Sequence, residues 1–201
     1  MFGFPGTTGR YRGAPRGGWR WSTSYRSCDG CCQLTPECVP ILDDPAFVRA
    51  ARNPKKKGMI KIHGRFVPKT DVDPIADGFR FLLTNEFGTI FDGTLLPGDL
   101  APSGTTNWKF KDRSAKKSAT PLRDGLFAIK IRKRNDREGI AYGFRVQAWG
   151  DMSAATVPLM VTQVYMGDDV AVLKAEWDGE PGRWYLKRKD FVPSLPPPPP
   201  L

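Results

Sequence analysis

The sequence predicts an all-β protein: an antiparallel β-sandwich of about nine strands, with a β-barrel as the alternative and with disordered or peripheral tails. Three observations lead to this class. Gly and Pro contribute 21 and 19 of the 201 residues, too many for a helical bundle. Between residues 57 and 192, apolar and polar residues alternate with period two, as in half-buried strands. No segment there is long enough for a crossover helix, so neighbouring strands are expected to pair antiparallel.

The alternation recurs in segments separated by turn residues. In the first segment, Ile60, Ile62 and Phe66 alternate with polar residues. Two sheets stacked by their apolar faces would bury one side of every strand. The predicted strands are 59–67, 79–84, 87–96, 107–112, 126–134, 142–149, 158–166, 169–177 and 183–191. The residues expected to build the core are Trp108, Phe110, Phe127, Ile129, Phe144, Val146, Trp177 and Trp184.

Composition divides the chain into three parts. Residues 1–56 form a leader rich in Gly, Arg and Cys. A short helix is predicted near 43–52, where two aspartates precede a proline and several helix-forming residues. The β-sandwich domain is predicted over 57–192, and 193–201 form a polyproline tail. The tail is typical of a stiff linker, and contact with an SH3- or WW-like domain is a second hypothesis.

Two stretches of the predicted sandwich resemble each other. Residues 78–112 and 143–190 both begin with Gly-Phe-Arg, and near the end of each comes Trp with apolar and Lys residues after it. An internal duplication would explain this echo. Chance similarity between strands is the simpler explanation.

The charge balance is strongly basic. Lys and Arg number 31 against 21 Asp and Glu, which gives a formal net charge of +10 at pH 7. Such a surplus favours anionic partners such as nucleic acid, acidic glycans or anionic lipid. No window approaches 18 consecutive apolar residues, so no membrane span is predicted. The first residues lack the apolar stretch of a secretory signal, which favours either a cytoplasmic chain, a piece of a longer secreted protein, or a start that is not the natural one.

The main candidate site is electrostatic. Basic residues fall on the polar side of several predicted strands: Lys61, His63, Arg65, Lys109, Lys111, Lys130, Arg132 and Arg145. If these strands share a sheet, its outer face would attract phosphate or sulfate groups in a salt-sensitive way. The aromatic residues lie mainly on the core-facing side, which argues against base stacking on that face. The alternative is a solvated face whose charges prevent edge-to-edge aggregation.

All four cysteines, Cys28, Cys31, Cys32 and Cys38, lie in one short stretch of the leader. Thiolates bind Zn²⁺ and iron–sulfur clusters. Structural zinc sites usually unite two separated Cys pairs, whereas here two cysteines are adjacent. Local disulfides are therefore the favoured interpretation, with metal binding and free thiols as alternatives.

A second metal hypothesis concerns a predicted turn. Asp71, Asp73 and Asp77 offer hard oxygen ligands suited to Ca²⁺, but Asp is also a common turn residue. Catalytic motifs such as a nucleophile elbow, a phosphate-binding loop or a His-Glu-x-x-His pair are absent from the sequence. We expect a non-enzymatic protein without a cofactor. A small hydrolase with a carboxylate site on a loop is the enzymatic alternative.

Several segments resemble a known module. They include 108–112 (Trp-Lys-Phe-Lys-Asp), 150–154 (Gly-Asp-Met-Ser-Ala), Pro158 and 167–169 (Gly-Asp-Asp). Over about 57–190 the chain is similar to a poorly characterised β-sandwich repeat module of large secreted, Cys- and Gly-rich bacterial surface proteins. The resemblance implies an extracellular module without known activity or catalytic residues. It also implies a disulfide-bearing leader, which fits the stretch from Cys28 to Cys38.

The sequence supports two functional hypotheses from different classes. The first is a non-enzymatic structural or adhesive module of a secreted or cell-surface protein, with other protein subunits or a surface polymer as partners. The second is a basic protein that binds nucleic acid or acidic glycan through the outward Lys and Arg residues.

Overall fold

The computed structural model describes residues 38–43, 46–50, 56–118, 121–137 and 139–186. These residues form strands and no helix, which confirms the predicted all-β class. The strands are β1 (Cys38–Pro40), β2 (Leu42–Asp43), β3 (Ala46–Arg49), β4 (Gly58–Phe66), β5 (Phe79–Asn85), β6 (Gly88–Leu95), β7 (Ala101–Pro102), β8 (Asn107–Lys111), β9 (Leu126–Asp136), β10 (Gly139–Gly150), β11 (Leu159–Met166), β12 (Asp169–Glu176), β13 (Asp178–Glu180) and β14 (Arg183–Leu186).

Two sheets form a sandwich and do not close into a barrel. The five-stranded sheet has the order β1-β12-β11-β5-β6. The nine-stranded sheet has the order β13-β14-β3-β4-β10-β9-β8-β7, with β2 also paired to β4. All pairs are antiparallel except that of β1 with β12. This parallel pair joins strands far apart in sequence, so it needs no crossover helix.

The nine predicted strands all occur, and five short strands accompany them. The extra strands are β1, β2, β3, β7 and β13, each two to four residues long. Three of them precede residue 57, so the sandwich includes part of the predicted leader. Residues 1–37 and the polyproline segment 193–201 lie outside the described residues.

The helix predicted near 43–52 is wrong, because Ala46–Arg49 is the strand β3. This strand lies between β14 and β4 and pairs antiparallel with both. Ala46 and Val48 are buried in the core, while Arg49 is exposed. Pairing on both edges together with this burial outweighs the weak helical preference of an isolated four-residue stretch.

The inward side chains of the two sheets form one hydrophobic core. Five predicted core residues are buried: Ile129, Phe144, Val146, Trp177 and Trp184. Trp108 and Phe110 are partly buried and pack against that core. Phe127 differs, because a β-bulge shifts the register between β9 and β10. Leu126 consequently takes the buried position, and Phe127 is half-buried.

The order of the strands reveals two similar halves, β3–β8 and β9–β14. The counterparts are β3 and β9, β4 and β10, β5 and β11, β6 and β12, β7 and β13, and β8 and β14. When each strand is replaced by its counterpart, the order in the nine-stranded sheet and the order of β5, β6, β11 and β12 stay the same. The halves thus have the arrangement of an internal duplication around a pseudo-two-fold axis that passes between β4 and β10 and between β5 and β11.

The two halves exchange their last strands. β8 of the first half pairs with β9 of the second, and β14 of the second pairs with β3 of the first. The correspondence holds for single residues: Arg49 lies opposite Arg183, and their counterparts Arg132 and Asn107 also lie opposite each other. Through this exchange, the last strand of each half is hydrogen-bonded to the first strand of the other half.

The predicted echo between 78–112 and 143–190 is therefore partly wrong. Its first motif begins β5 in the five-stranded sheet, whereas the similar motif at 143–145 belongs to β10 in the nine-stranded sheet. Those motifs are not structural equivalents. Trp108 in β8 and Trp184 in β14 do occupy equivalent places.

A partly buried ion pair stabilises the turn at 96–99, which follows β6. The Asp99 carboxylate accepts hydrogen bonds from Arg123 Nε (2.6 Å) and Nη2 (2.8 Å) and from the backbone N–H of Leu96 (2.7 Å). The hydrogen bonds from Arg123, together with the one from Leu96, lower the pKa of Asp99 even though burial opposes the shift. A carboxylate with a lowered pKa stabilises the fold above its unfolded-state pKa of about 3.9, and this stabilisation is lost as the pH falls through the lower folded-state pKa.

We expect Asp99→Asn to lower the free energy of unfolding by about 1–2 kcal/mol at pH 7. The difference from the wild type should shrink as the pH falls below about 4, because the wild-type carboxyl then becomes protonated as well. Urea unfolding of both proteins across this pH range measures the difference. A difference that stays constant down to pH ~2.5 would contradict the role given to the Asp99 charge.

Candidate functional site

The outer side of the nine-stranded sheet carries the basic residues that alternate with core residues. On β10, for example, Arg145 is exposed between the buried residues Phe144 and Val146. We call the following seven residues the cationic face: Lys61, Arg65, Lys109, Lys111, Lys130, Arg132 and Arg145. All are exposed except Lys61, which is half-buried.

The strand register aligns these cations in rows. Arg145 lies opposite His63 on β4 and Lys130 on β9, and Lys130 lies opposite Lys109 on β8. One row thus crosses four adjacent strands. With strands about 4.8 Å apart, it spans about 14 Å. Three exposed cations at this spacing, Arg145, Lys130 and Lys109, suit a ligand with a series of negative charges better than a small ion with one charge.

Further cations flank this row on both sides. In the next row Arg65 and Arg132 stand on either side of Gly143. In the preceding row Lys61 and Lys111 lie at the two ends, with Gln147 and Ala128 between them. Gly143 and Ala128 are small, so these two flanking rows leave open space beside the long side chains of the row between them.

Few acidic groups balance these cations. Three ion pairs occur among the described residues, and only the pair between Arg65 and Asp136 involves the cationic face. Two like charges about 4–5 Å apart in water repel by about 1 kcal/mol. Arg145, Lys130 and Lys109 therefore repel one another, and a bound anion would relieve this repulsion.

The same outer side carries aromatic residues that the sequence analysis did not place there. Phe47 on β3 lies directly opposite Tyr185 on β14, and both are half-buried. Trp149 on β10 is also half-buried, and Lys116 Nζ lies 5.1 Å from its ring centroid. We call Phe47, Trp149 and Tyr185 the aromatic end of the sheet. The expectation that the aromatic residues lie mainly in the core is therefore incomplete.

Arginines adjoin the aromatic end. Arg49 and Arg183 lie opposite each other, two residues along from Phe47 and Tyr185. The Arg183 guanidinium carbon lies 5.3 Å from the Tyr185 ring centroid, and Arg183 Nε donates a hydrogen bond to the Tyr185 hydroxyl. These four residues and Val48 line a cavity of about 150 Å³. The aromatic end thus combines ring surfaces with two guanidinium groups.

The outer side of the five-stranded sheet has a different character. Its central residues, Leu82 and Gln163, lie opposite each other. The positive charge of Arg80 is balanced by Asp92, whose carboxylate accepts two hydrogen bonds from the guanidinium group, at 2.9 and 2.6 Å. This pair raises the pKa of Arg80 and keeps it charged. Most basic residues of the strands lie on the other sheet, which gives the sandwich two unlike faces.

The predicted calcium site is not assembled. Asp77 accepts the backbone N–H of Asp73 at 2.8 Å, and Asp73 accepts that of Ile75 at 2.9 Å. These carboxylates therefore stabilise their own turn. The part of the chain that the structure describes holds no group of three or more His, Cys, Asp or Glu residues able to bind a metal ion, so Asp71, Asp73 and Asp77 do not form one.

The cysteine prediction falls mostly outside the described residues, which include none of Cys28, Cys31 and Cys32. Cys38 is described only through its backbone, which pairs with Val170 of β12. Disulfide or metal binding by these cysteines stays a prediction. Among the described residues, no helix has the length and apolar character needed to cross a membrane.

Fold and face together define a class: an all-β sandwich with one cationic, partly aromatic sheet surface. No protein-family model, curated protein or solved structure matches the chain.

Proposed function

We propose that the protein is a non-enzymatic β-sandwich module that binds an anionic polymer through the cationic face. The observation that carries the proposal is the row of Arg145, Lys130 and Lys109 across three adjacent strands, with Lys61, Arg65, Lys111 and Arg132 in the flanking rows. A polymer with a regular series of phosphate or sulfate groups can contact several of these cations at once. Each contact releases a counterion, and this release drives association.

The shape of the surface supports a polymer over a small anion. The row and its flanking rows present side chains from β4, β10, β9 and β8 on an exposed sheet. Small ligands usually bind in concave sites that bury most of their surface. A broad cationic plate instead suits a long ligand that remains partly solvated.

A structural or adhesive role in a secreted or cell-surface protein is the second candidate. The observation that favours it is the exchange of β8 and β14 between the two halves, which interlocks them within one sheet. The resemblance to a module of bacterial surface proteins agrees with this role and with an extracellular location. Binding to an anionic surface polymer would unite both candidates, and a cytoplasmic location is the alternative.

The test is the salt dependence of binding by the complete chain. We expect retention on heparin and on immobilised oligonucleotide at about 50 mM salt, with release as the salt rises. Each neutralised phosphate contributes about −0.7 to the slope of log K against log salt for single strands. Contacts by four or more cations therefore predict a slope of about −3 or steeper. Absence of binding to both polymers at low salt would refute the proposal.

A further inference from the structure

We infer that the polymer bound by this surface is single-stranded nucleic acid, whose bases stack at the aromatic end while its phosphates lie along the cationic face. This inference rests on the proposed function and specifies its ligand. The aromatic end and the cationic face belong to the same side of the same sheet. Phe47 lies directly opposite Lys61 and therefore joins the two regions.

The aromatic end has the groups that bind unpaired bases. The Phe47 and Tyr185 rings are half-buried, so they are held by the sheet and still present surface to solvent. Arg49 and Arg183 border the same cavity. Unpaired bases stack on aromatic rings and on guanidinium planes, and such stacking tolerates any base because each has a π-face.

The pseudo-two-fold symmetry supports separate roles for the aromatic end, which would bind bases, and the cationic face, which would bind phosphates. The pair formed by Phe47 and Tyr185 has its counterpart in Lys130 and Lys109 of the other half, which also lie opposite each other. Equivalent places on the two sides of the axis thus hold two rings on one side and two ammonium groups on the other. Near the axis both halves keep a cation, Lys61 in β4 and Arg145 in β10.

The dimensions suit a short single strand. Tyr185 and Lys109 lie on the first and last of six adjacent strands, β14 to β8, which are separated by five strand spacings. At about 4.8 Å per strand spacing the two residues are about 24 Å apart. Single-strand binding folds of similar size contact about 4 nucleotides or more. One strand can therefore reach both the rings and the lysine pair.

Other polyanions would use the cationic face but not the aromatic end. In a duplex the bases are stacked on one another and not available to Phe47 and Tyr185. A sulfated glycan offers charges without planar bases, so it would use the cationic face alone. Preference for single strands is the property that separates this inference from general polyanion binding.

The test compares Phe47→Leu/Tyr185→Leu with the wild type by fluorescence anisotropy. The probes are a labelled single-stranded thymidine 20-mer, a labelled 20-base-pair duplex and labelled heparin. Stacking contributes about 1–3 kcal/mol per base, so we expect single-strand affinity to fall by about 10-fold or more, with an unchanged salt slope. Heparin and duplex binding should change by less than about threefold.

Phe87→Leu is the matched control. Phe87 is an aromatic residue with 74% of its surface exposed, in the turn between β5 and β6 of the other sheet. Its removal should leave single-strand binding unchanged. Equal losses for all three probes in the double variant, or none for the single strand, would overturn the inference while leaving the proposed function intact. No binding of any probe by the wild type would refute the proposed function itself.

A measurement on the wild type covers the case in which the double variant does not fold. Photo-crosslinking to a 4-thiothymidine oligonucleotide, followed by peptide mapping, should label peptides that contain Phe47, Trp149 or Tyr185. Labels confined to β5, β6, β11 and β12 would overturn the inference. Labels on the cationic strands with none on the peptides that contain Phe47, Trp149 or Tyr185 would also overturn it, since the aromatic end would then be unused.

Discussion

Asp169→Ala should lower the free energy of unfolding by about 3 kcal/mol, the largest effect expected from a single change on stability. Asp169 begins β12 and is fully buried. Its carboxylate accepts hydrogen bonds from the backbone N–H of Lys69 (3.2 Å), the backbone N–H of Thr70 (3.0 Å) and the Thr70 hydroxyl (2.6 Å). Alanine would remove the acceptor for all three donors at once.

The consequence is structural because these bonds join distant parts of the chain. Lys69 and Thr70 belong to the segment that leads from β4 in one sheet to β5 in the other, whereas Asp169 belongs to the β11–β12 hairpin. Hydrogen bonds to a charged acceptor contribute about 1.5–3 kcal/mol, and donors left without a partner add a desolvation cost. The linking segment should therefore loosen along with the loss of global stability.

Urea unfolding measures the effect, with Asp168→Ala as the matched control. Asp168 is exposed in the hairpin turn next to Asp169, so its removal should change stability by less than about 0.5 kcal/mol. Asp169→Asn keeps one carbonyl acceptor and should fall between the two. Similar losses for Asp168→Ala and Asp169→Ala would show that the buried carboxylate does not hold the segment.

The sequence was sufficient to predict the long strands and the direction of their side chains. β4, β9 and β10 each have nine or more residues, so the alternation of apolar and basic residues is long enough to assign the phase. For the same reason the outward direction of Lys130 and Arg145 could be predicted. The order of the strands in each sheet depends on pairing between residues that are distant in sequence, so it could not be predicted from the local pattern.

The place of Phe47 in the aromatic end could not be predicted because it depends on β3. This strand has four residues, too few for a period-two pattern to stand out, and local composition favours a helix there. Phe47 joins the sheet only through its pairing with β4 and β14, which are distant in sequence. The available signal was the sequence Ala-Phe-Val-Arg at 46–49, which alternates small or apolar core residues with larger ones.

Two further features escaped prediction for physical reasons. The bulge opposite Gln147 reverses the phase at the start of β9 and moves Phe127 out of the core. The pseudo-symmetry was obscured because the halves exchange strands, so equivalent residues such as Trp108 and Trp184 pair with different halves. A sequence echo alone does not show which strands are equivalent.

Reversal of two charges in the central row should have the largest effect on binding. Lys109 and Lys130 are exposed and directly opposite each other on β8 and β9. Lys109→Glu/Lys130→Glu removes two attractive contacts and introduces two repulsive ones in this row. We expect the affinity for a single-stranded polyanion to fall by about 30-fold or more at about 0.1 M salt, and the salt slope to become shallower by about 1.4.

The control must reproduce the change in net charge without touching this side of the sheet. Lys69→Glu/Lys174→Glu meets this requirement, because Lys69 lies in the segment between β4 and β5 and Lys174 lies on β12 of the five-stranded sheet. Both double variants exchange two lysines for two glutamates. Long-range attraction by the total charge would weaken binding equally in the two, whereas a localised site would not.

The salt slope of polyanion binding, measured for the wild type and both double variants, is the most direct test of the cationic face. A shallower slope and a large loss of affinity in Lys109→Glu/Lys130→Glu, with the control within about threefold of the wild type, is the predicted result. Equal losses of affinity in the two double variants, with slopes that do not differ, would contradict a binding site on the nine-stranded sheet.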